Sequence, residues 1–241
     1  MDKSTKALTI KSADYNENDK FILLYSPEMG KITVRARGVK KADAKLKFVQ
    51  EPFCFAEVEL AETGGRFTLK TARQMESFFS LREDIVKFYA GCSVLECLAN
   101  CEEEGQPNPP VFVMTLRALQ ALDDGKNPLL VTLWFLLGYL QESGYRLDPD
   151  KCTVCSKKVV KRAYLDLQFS GICCEDCRSA NSYVLTAPAL SLLKLIDGLS
   201  ADKLGNLKVP DAQIKECLTA VAGYISHCLG RIKNVGELVK L

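Results

Sequence analysis

Two cysteine pairs of identical spacing decide much of what this chain can fold into. Cys152-Thr-Val-Cys155 and Cys174-Glu-Asp-Cys177 stand eighteen residues apart. Two CxxC turns at that separation are the sequence form of a four-cysteine zinc site. Two intervening residues let one tight turn present both sulfurs to a single ion. Two such turns close a tetrahedron with Zn–S distances of about 2.3 Å. Four thiolates leave no open position for water, so the expected ion is structural, one per chain. Between the pairs, Val159-Val160 and Ala163 to Leu167 read as strand and Ser170-Gly171 as a turn, which together predict a zinc ribbon. Cys173 competes with Cys174 for the third ligand position; Cys174 is preferred because it keeps the tight CxxC. The bland alternative is four cysteines with no metal.

The rest of the chain sets the surroundings. Its 241 residues, 47% apolar, are enough to bury a core without staples. The other cysteines are Cys54, Cys92, Cys97, Cys101, Cys173, Cys217 and Cys228. Most lie in apolar or helical runs, where free cysteine acts as a small hydrophobe. The total of eleven is odd and fits a reducing compartment better than a disulfide framework. The polar start, Met-Asp-Lys-Ser-Thr-Lys, lacks the apolar centre of a secretory signal. The longest apolar run, Leu129 to Leu140, falls short of the roughly 20 residues a spanning helix needs. The expected location is the cytoplasm.

Up to about Thr71 the pattern is β. Ala7 to Lys11 and Phe21 to Tyr25 read as strands. Lys31 to Arg37 alternates cleanly, with Ile32, Val34 and Ala36 on one face and Lys31, Thr33, Arg35 and Arg37 on the other. Phe53 to Leu60 and Phe67 to Thr71 complete five short strands, with a long connection after the third. That arrangement suits a small closed barrel of the OB type. From about Gln74 the period becomes helical, through Phe78, Leu81, Ile85, Phe88 and Tyr89. Helices follow over Val111 to Leu122 and from Pro128 to near Ser143. Pro188 opens another to about Leu199, and Pro210 one to about Leu229. The helical stretches flanking the cysteine segment are expected to share one core. The chain is therefore α+β and multidomain. An OB-fold barrel spans residues 1–75, and an all-α domain spans 76–150 and 183–241. The four-cysteine zinc ribbon is inserted between them at 151–182.

A second signal is charge. Between Lys31 and Lys47 lie Lys31, Arg35, Arg37, Lys40, Lys41, Lys45 and Lys47 against one acid, Asp43, in a chain whose net charge is only +2. Arg35 and Arg37 share a strand face, and the lysines after Gly38 lie in a loop able to lean over it. Arg66 and Lys70 share a face of the last strand and would widen the track. Such a strand and loop can follow a phosphate backbone, the sequence-independent term in nucleic-acid binding. On this class of barrel, bases of a single strand stack on aromatics, for which Tyr15 and Tyr25 are candidates. The bland reading is a solvated edge.

Catalysis finds little support. The only histidine, His227, lies on a predicted helix beside Cys228, and there is neither a P-loop nor a GxSxG elbow. Glu102-Glu103-Glu104 reads as a solvated helix end, and Trp134, Phe135 and Tyr139 as core. Three functions compete: a DNA-binding module, a zinc-ribbon RNA-binding module associated with translation, and a thiol–disulfide enzyme built on a CxxC pair. Zinc-bound thiolates argue against the last.

Taken together, the whole chain resembles the bacterial RecO family of recombination mediators. The stretches that carry the resemblance are Tyr15-Asn-Glu-Asn-Asp19, Gly30-Lys-Ile-Thr-Val-Arg-Ala-Arg-Gly38 and Gln50-Glu-Pro-Phe53. The CxxC pairs, with Phe169-Ser170-Gly171 before the second, add to them. The resemblance implies an OB fold that binds single- and double-stranded DNA. It implies a non-enzymatic protein that anneals complementary strands and, with RecR, helps load RecA onto DNA coated by single-strand-binding protein. It also implies binding of that coating protein's acidic tail by the helical domain, and work in the bacterial nucleoid. Carried over by position, DNA contacts fall at Lys31, Arg35, Arg37 and Lys40, and zinc at Cys152, Cys155, Cys174 and Cys177. Two departures stand out: Ser156 where many relatives have glycine, and the doubled Cys173-Cys174. Some relatives lack the cysteines, which implies a structural zinc not needed for the family's activity.

Overall fold

A computed structural model describes residues 2–241. Five strands, β1 (Asp2–Asp14), β2 (Lys20–Ser26), β3 (Gly30–Ala36), β4 (Phe55–Thr63) and β5 (Arg66–Glu76), close into a barrel in the order β1-β2-β3-β5-β4. Every neighbouring pair is antiparallel except β3 and β5. This is the expected OB-type barrel. Inward residues alternate along the strands, so Ile22, Leu24, Ile32, Val34, Val58 and Leu60 fill the interior. β1 is longer than the expected Ala7 to Lys11. Its polar start has no period-2 signal, and pairing with β4 from Asp2 onward is what makes it a strand.

The other face of the barrel supplies a second core. Leu8, Ile10 and Tyr25 point outward and are buried against helices, together with Phe53, Phe78 and Leu81. Phe78 and Leu81 are thus core residues, but not α-helical ones. β5 runs on to Glu76, a 3-10 turn spans Phe79–Arg82, and α1 (Ile85–Cys101) begins only where the Asp84 carboxylate caps the amides of Val86 and Lys87.

Helices α2 (Pro109–Asp123), α3 (Pro128–Glu142) and α4 (Ala187–Ile196) each carry proline in the first turn behind an Asn or Thr cap. With α5 (Asp211–Cys228) and the short α6 (Asn234–Leu238) they form one helical region. The apolar run of α3 packs on α1, α2 and α5, so the helices before and after the cysteine segment share a core, as their sequence implied. Among the described residues no helix is long and apolar enough to cross a membrane.

The segment between α3 and α4 is a three-stranded antiparallel sheet in the order β7-β6-β8, with β6 (Ala163–Asp166), β7 (Gly171–Cys173) and β8 (Ser182–Leu185). β8 straddles the expected boundary at 182; with only four residues and Val184 exposed, it left no alternation to read. Val159-Val160 is not a strand. Val159 is buried, Val160 is exposed, and only a single bridge joins Lys151 to Lys158 nearby.

One connection ties barrel to helices. Glu102, expected in solvent, accepts hydrogen bonds from Tyr25 Oη of β2 at 2.8 Å and Tyr139 Oη of α3 at 2.7 Å. Lys31 Nζ donates to the Ala99 carbonyl at the end of α1 (2.7 Å), and the Gly105 amide donates to the Lys31 carbonyl (2.9 Å). Tyr25 is therefore no stacking platform for bases. Its ring is fully buried between the two units because β2 turns that face toward the helices.

Candidate metal centre and nucleic-acid interface

The ligating sulfurs of Cys152, Cys155, Cys174 and Cys177 all lie within 4.8 Å of one another, and the Cys155 and Cys174 sulfurs are 3.8 Å apart. A tetrahedron with Zn–S bonds of about 2.3 Å has edges of about 3.8 Å, so the donor set fits a four-coordinate metal ion. The doubled cysteine resolves in favour of Cys174: Cys173 lies on β7 with its side chain buried in the core. The two knuckles brace each other. The Thr153 amide donates to the Ile172 carbonyl (2.8 Å), and a Cβ at Gly171 would collide with the Thr153 hydroxyl. Burial works against a Cys152 thiolate. The backbone N–H groups of Cys155, Cys174 and Val154 outweigh it and hold the group at about 6. Cys177 is pushed up to about 12, chiefly by its hydrogen bonds with Cys174 and Cys155. Crowded thiols cannot all ionise unless a cation offsets their mutual repulsion.

Ser156 follows the first pair with φ of +59°, its amide bonded to the Cys152 carbonyl at 2.8 Å. That left-handed backbone explains why glycine suits the position. A side chain there costs about 1–2 kcal/mol, whereas glycine loses roughly 0.5–1 kcal/mol of unfolded-chain entropy. Ser156→Gly should therefore stabilise the protein by up to about 1 kcal/mol. A lower melting midpoint in thermal unfolding would contradict this.

A buried carboxylate that belongs to no motif holds the ribbon's far end. Asp166 accepts from the amides of Gln168 (3.0 Å), Phe169 (3.1 Å) and Ser179 (2.5 Å) and from the Ser179 hydroxyl (3.0 Å). Burial raises its pKa, but these donors prevail and lower it.

The basic run occupies one end of the barrel. Val39 and Val49 anchor the connection between β3 and β4 in the barrel core, and Arg37, Lys41, Lys45 and Lys47 stand exposed along it. None of these four takes part in an ion pair among the described residues. The other cations proposed for the track, Arg66 apart, have partners. Arg35 donates to Asp19 through Nε (3.1 Å) and Nη2 (2.6 Å), Lys40 pairs with Asp14 (2.8 Å), Lys70 with Asp2 (2.7 Å), and Lys31 with the Ala99 carbonyl. Arg66 is exposed at the β4–β5 hairpin.

The register Arg35↔Thr68 between β3 and β5 sets Arg66, Thr68 and Lys70 beside the outward row of β3. Tyr15, 52% exposed, packs on Phe21 (ring centroids 4.6 Å) and lies 4.9 Å from the Arg35 guanidinium. Phe21 is the aromatic the sequence concealed, since Phe21 to Tyr25 is apolar throughout and shows no face.

The N-terminal 1–79 match the family described as "Recombination protein O N terminal", and residues 82–235 match "Recombination protein O C terminal". The chain is a member of the RecO family. It is 29% identical over 213 residues to the DNA repair protein RecO of Clostridium novyi (strain NT), which spans 88% of this chain and 83% of that one. The DNA repair protein RecO of Listeria monocytogenes serotype 4b (strain CLIP80459) is 31% identical over 208 residues, 85% and 80% of the two chains. That of Bacillus pumilus (strain SAFR-032) is 28% identical over 228 residues, 94% and 89%.

In this chain the three motif stretches have physical roles. Asp19 gathers the first two: besides Arg35 it accepts from the Gly38 amide (2.8 Å) and Asn16 Nδ2 (3.2 Å). The Gly38 amide, then Arg35, hold its carboxyl at about 2, so this clasp persists to strongly acid pH. Gly30 has φ of +63°, and a Cβ there would strike the Gln106 backbone. Phe53, the end of the third motif, is buried at φ of +69° against Gly91 of α1, with Arg82 bonded to the Pro52 carbonyl.

Proposed function

We propose that this chain is a DNA-binding recombination mediator. It would anneal complementary single strands and, with RecR, help load RecA onto DNA coated by single-strand-binding protein, whose acidic tail the helical region would bind. No bond is made or broken; the work is electrostatic capture in the bacterial nucleoid. The observation that carries this reading is the exposed, unpaired row Arg37, Lys41, Lys45 and Lys47, held by two buried valines beside the Tyr15–Phe21 shelf. Phosphates would follow the row while bases stack on the shelf. Lys31, Arg35, Lys40 and Lys70 would support it from positions where their charges are already bonded, and Arg66 would extend it. The metal in this reading is zinc, because four thiolates in a closed tetrahedron suit it, and its role is structural.

The test is the salt dependence of binding to single-stranded DNA. Replacing Arg37, Lys41, Lys45 and Lys47 by alanine should flatten the log–log slope by about 0.7 per lost contact, roughly 3 in all. Wild-type protein should also speed annealing of oligonucleotides coated with single-strand-binding protein, less so as salt rises. An unchanged slope would sink this placement of the site. RNA outcompeting single-stranded DNA of equal length would instead favour an RNA-binding, translation-associated module.

A further inference from the structure

The barrel's basic loop is not the only cationic surface. Residues 151–162 read Lys-Cys-Thr-Val-Cys-Ser-Lys-Lys-Val-Val-Lys-Arg and contain no carboxylate. Lys151, Lys157, Lys158, Lys161 and Arg162 are all exposed, and none forms an ion pair among the described residues. From this concentration of unpaired charge we propose that the first knuckle of the ribbon is a second phosphate-binding surface, one that takes a nucleic-acid strand separate from the strand on the barrel.

The geometry supports more than a solvated run. Lys151 and Lys158 face each other across an antiparallel bridge. Directly opposed residues on such a pair present their side chains to the same side, about 5 Å apart, and like charges so placed repel. The backbone holds them there regardless. The Cys152 amide donates to the Lys157 carbonyl and the Val159 amide to the Asp150 carbonyl (2.9 and 2.8 Å). Lys194 of α4 pins the same loop from below through the Val159 carbonyl (3.1 Å).

Lys194 also pairs with the nearest acid, Asp150, at 2.7 Å; Lys158 and Lys151 add to the positive field on that carboxylate but form no ion pair with it. A fixed cluster of like charges is relieved by an anion that bridges them, and the preordered loop has little entropy left to lose on binding. Val160, 68% exposed between Lys158 and Lys161, gives the loop an apolar tip against which a base can rest. The second knuckle carries exposed Glu175 and Asp176 beside Arg178, so the uninterrupted run of cations belongs to the first knuckle.

Nucleic acid is the partner this chemistry fits. The spaced cations, an apolar tip and a rigid loop match a repeating phosphate chain with bases beside it. The ribbon packs on α4 and α5, away from the barrel strands. Two separate cationic surfaces on one chain would let it hold two strands at once, which annealing requires. This inference rests on the proposed DNA-binding function and adds to it a second strand site.

A bridging experiment separates the two. Full-length protein carrying its metal is loaded on immobilised oligo-dT, then offered a labelled oligo-dT that cannot pair with the first. Wild type should capture the second strand. The ribbon variant Lys157→Ala/Lys158→Ala/Lys161→Ala/Arg162→Ala should still load on the immobilised strand but capture the second at least tenfold less well. Its metal content and melting midpoint should match wild type, and Lys158→Glu alone should show the same direction of effect.

Restoring charge with Lys157→Arg/Lys158→Arg/Lys161→Arg should restore capture. Undiminished capture by both neutralised and reversed variants would overturn the ribbon site while leaving the barrel site standing. Loss of first-strand loading only in the barrel variant, together with loss of capture only in the ribbon variant, supports both. Binding of anionic lipid vesicles by the ribbon residues, with DNA capture unaffected, would also overturn the proposal.

Discussion

Removal of the metal, by chelation or by Cys174→Ser, is expected to melt the ribbon and spare the barrel. Metal binding to a four-thiolate site is worth roughly 10–16 kcal/mol in isolated zinc-finger peptides, more than the whole stability of many domains. Here a bound ion would not be the only support. Ala163, Leu165, Ile172 and Leu185 are buried in the helical core, and Asp166 holds the turn after β6. The loss should therefore stay local. Hydrogen exchange over residues 151–185 should accelerate by several orders of magnitude once the metal is gone, with β1 to β5 unchanged. The salt slope of DNA binding proposed for Arg37, Lys41, Lys45 and Lys47 should persist. If the metal leaves stoichiometrically and exchange in the ribbon does not change, the cysteines are not structural ligands.

The second large effect lies at Glu102. Two buried tyrosine hydroxyls, one from the barrel and one from α3, end on its two oxygens. Hydrogen bonds to a charged acceptor contribute about 1.5–3 kcal/mol each, and truncation leaves both donors buried without a partner. Glu102→Ala should cost roughly 3–6 kcal/mol in urea unfolding, far beyond an exposed acid. The pair also sets an alkaline limit. Burial first, and then the Glu102 charge, raise the pKa of Tyr25 and of Tyr139 far above the ordinary 10.

Below pH 10 both folded and unfolded tyrosines keep their protons, and the interaction is fully present. Above it the unfolded chain loses protons that the folded chain retains, so stability falls with rising pH, by about 1.4 kcal/mol per unit for each tyrosine. Unfolding measured from pH 9 to pH 11 should show that decline, and Tyr25→Phe should remove about half of the part due to this pair. A flat profile would mean the hydroxyls are not held as described.

The cysteine spacing, the alternation in β3 and the prolines at helix starts were readable because each is a local rule with one geometric solution. What stayed hidden depends on residues far apart in the chain. Tyr25 looked available for stacking because no local pattern shows that the outer face of β2 is covered by helices. Glu102 looked solvated because its neighbours Glu103 and Glu104 are, while its own partners lie 77 and 37 residues away. Arg35 could be placed on a face, but its engagement by Asp19 needed the β1–β2 loop to fold back. Asp166 carried no motif at all.

The joint at Gly30, Lys31 and Glu102 has a mechanical consequence. With the barrel's outer face and the helices sharing a single buried core, and with the Gly30–Gln106 contact too close to admit even a methyl group, any rotation of the barrel against the helices would have to open that core. In the proposed function the molecule would serve as a jig: strands laid along it would keep a fixed relative course, and the drive for joining them would come from the base pairs they form with each other.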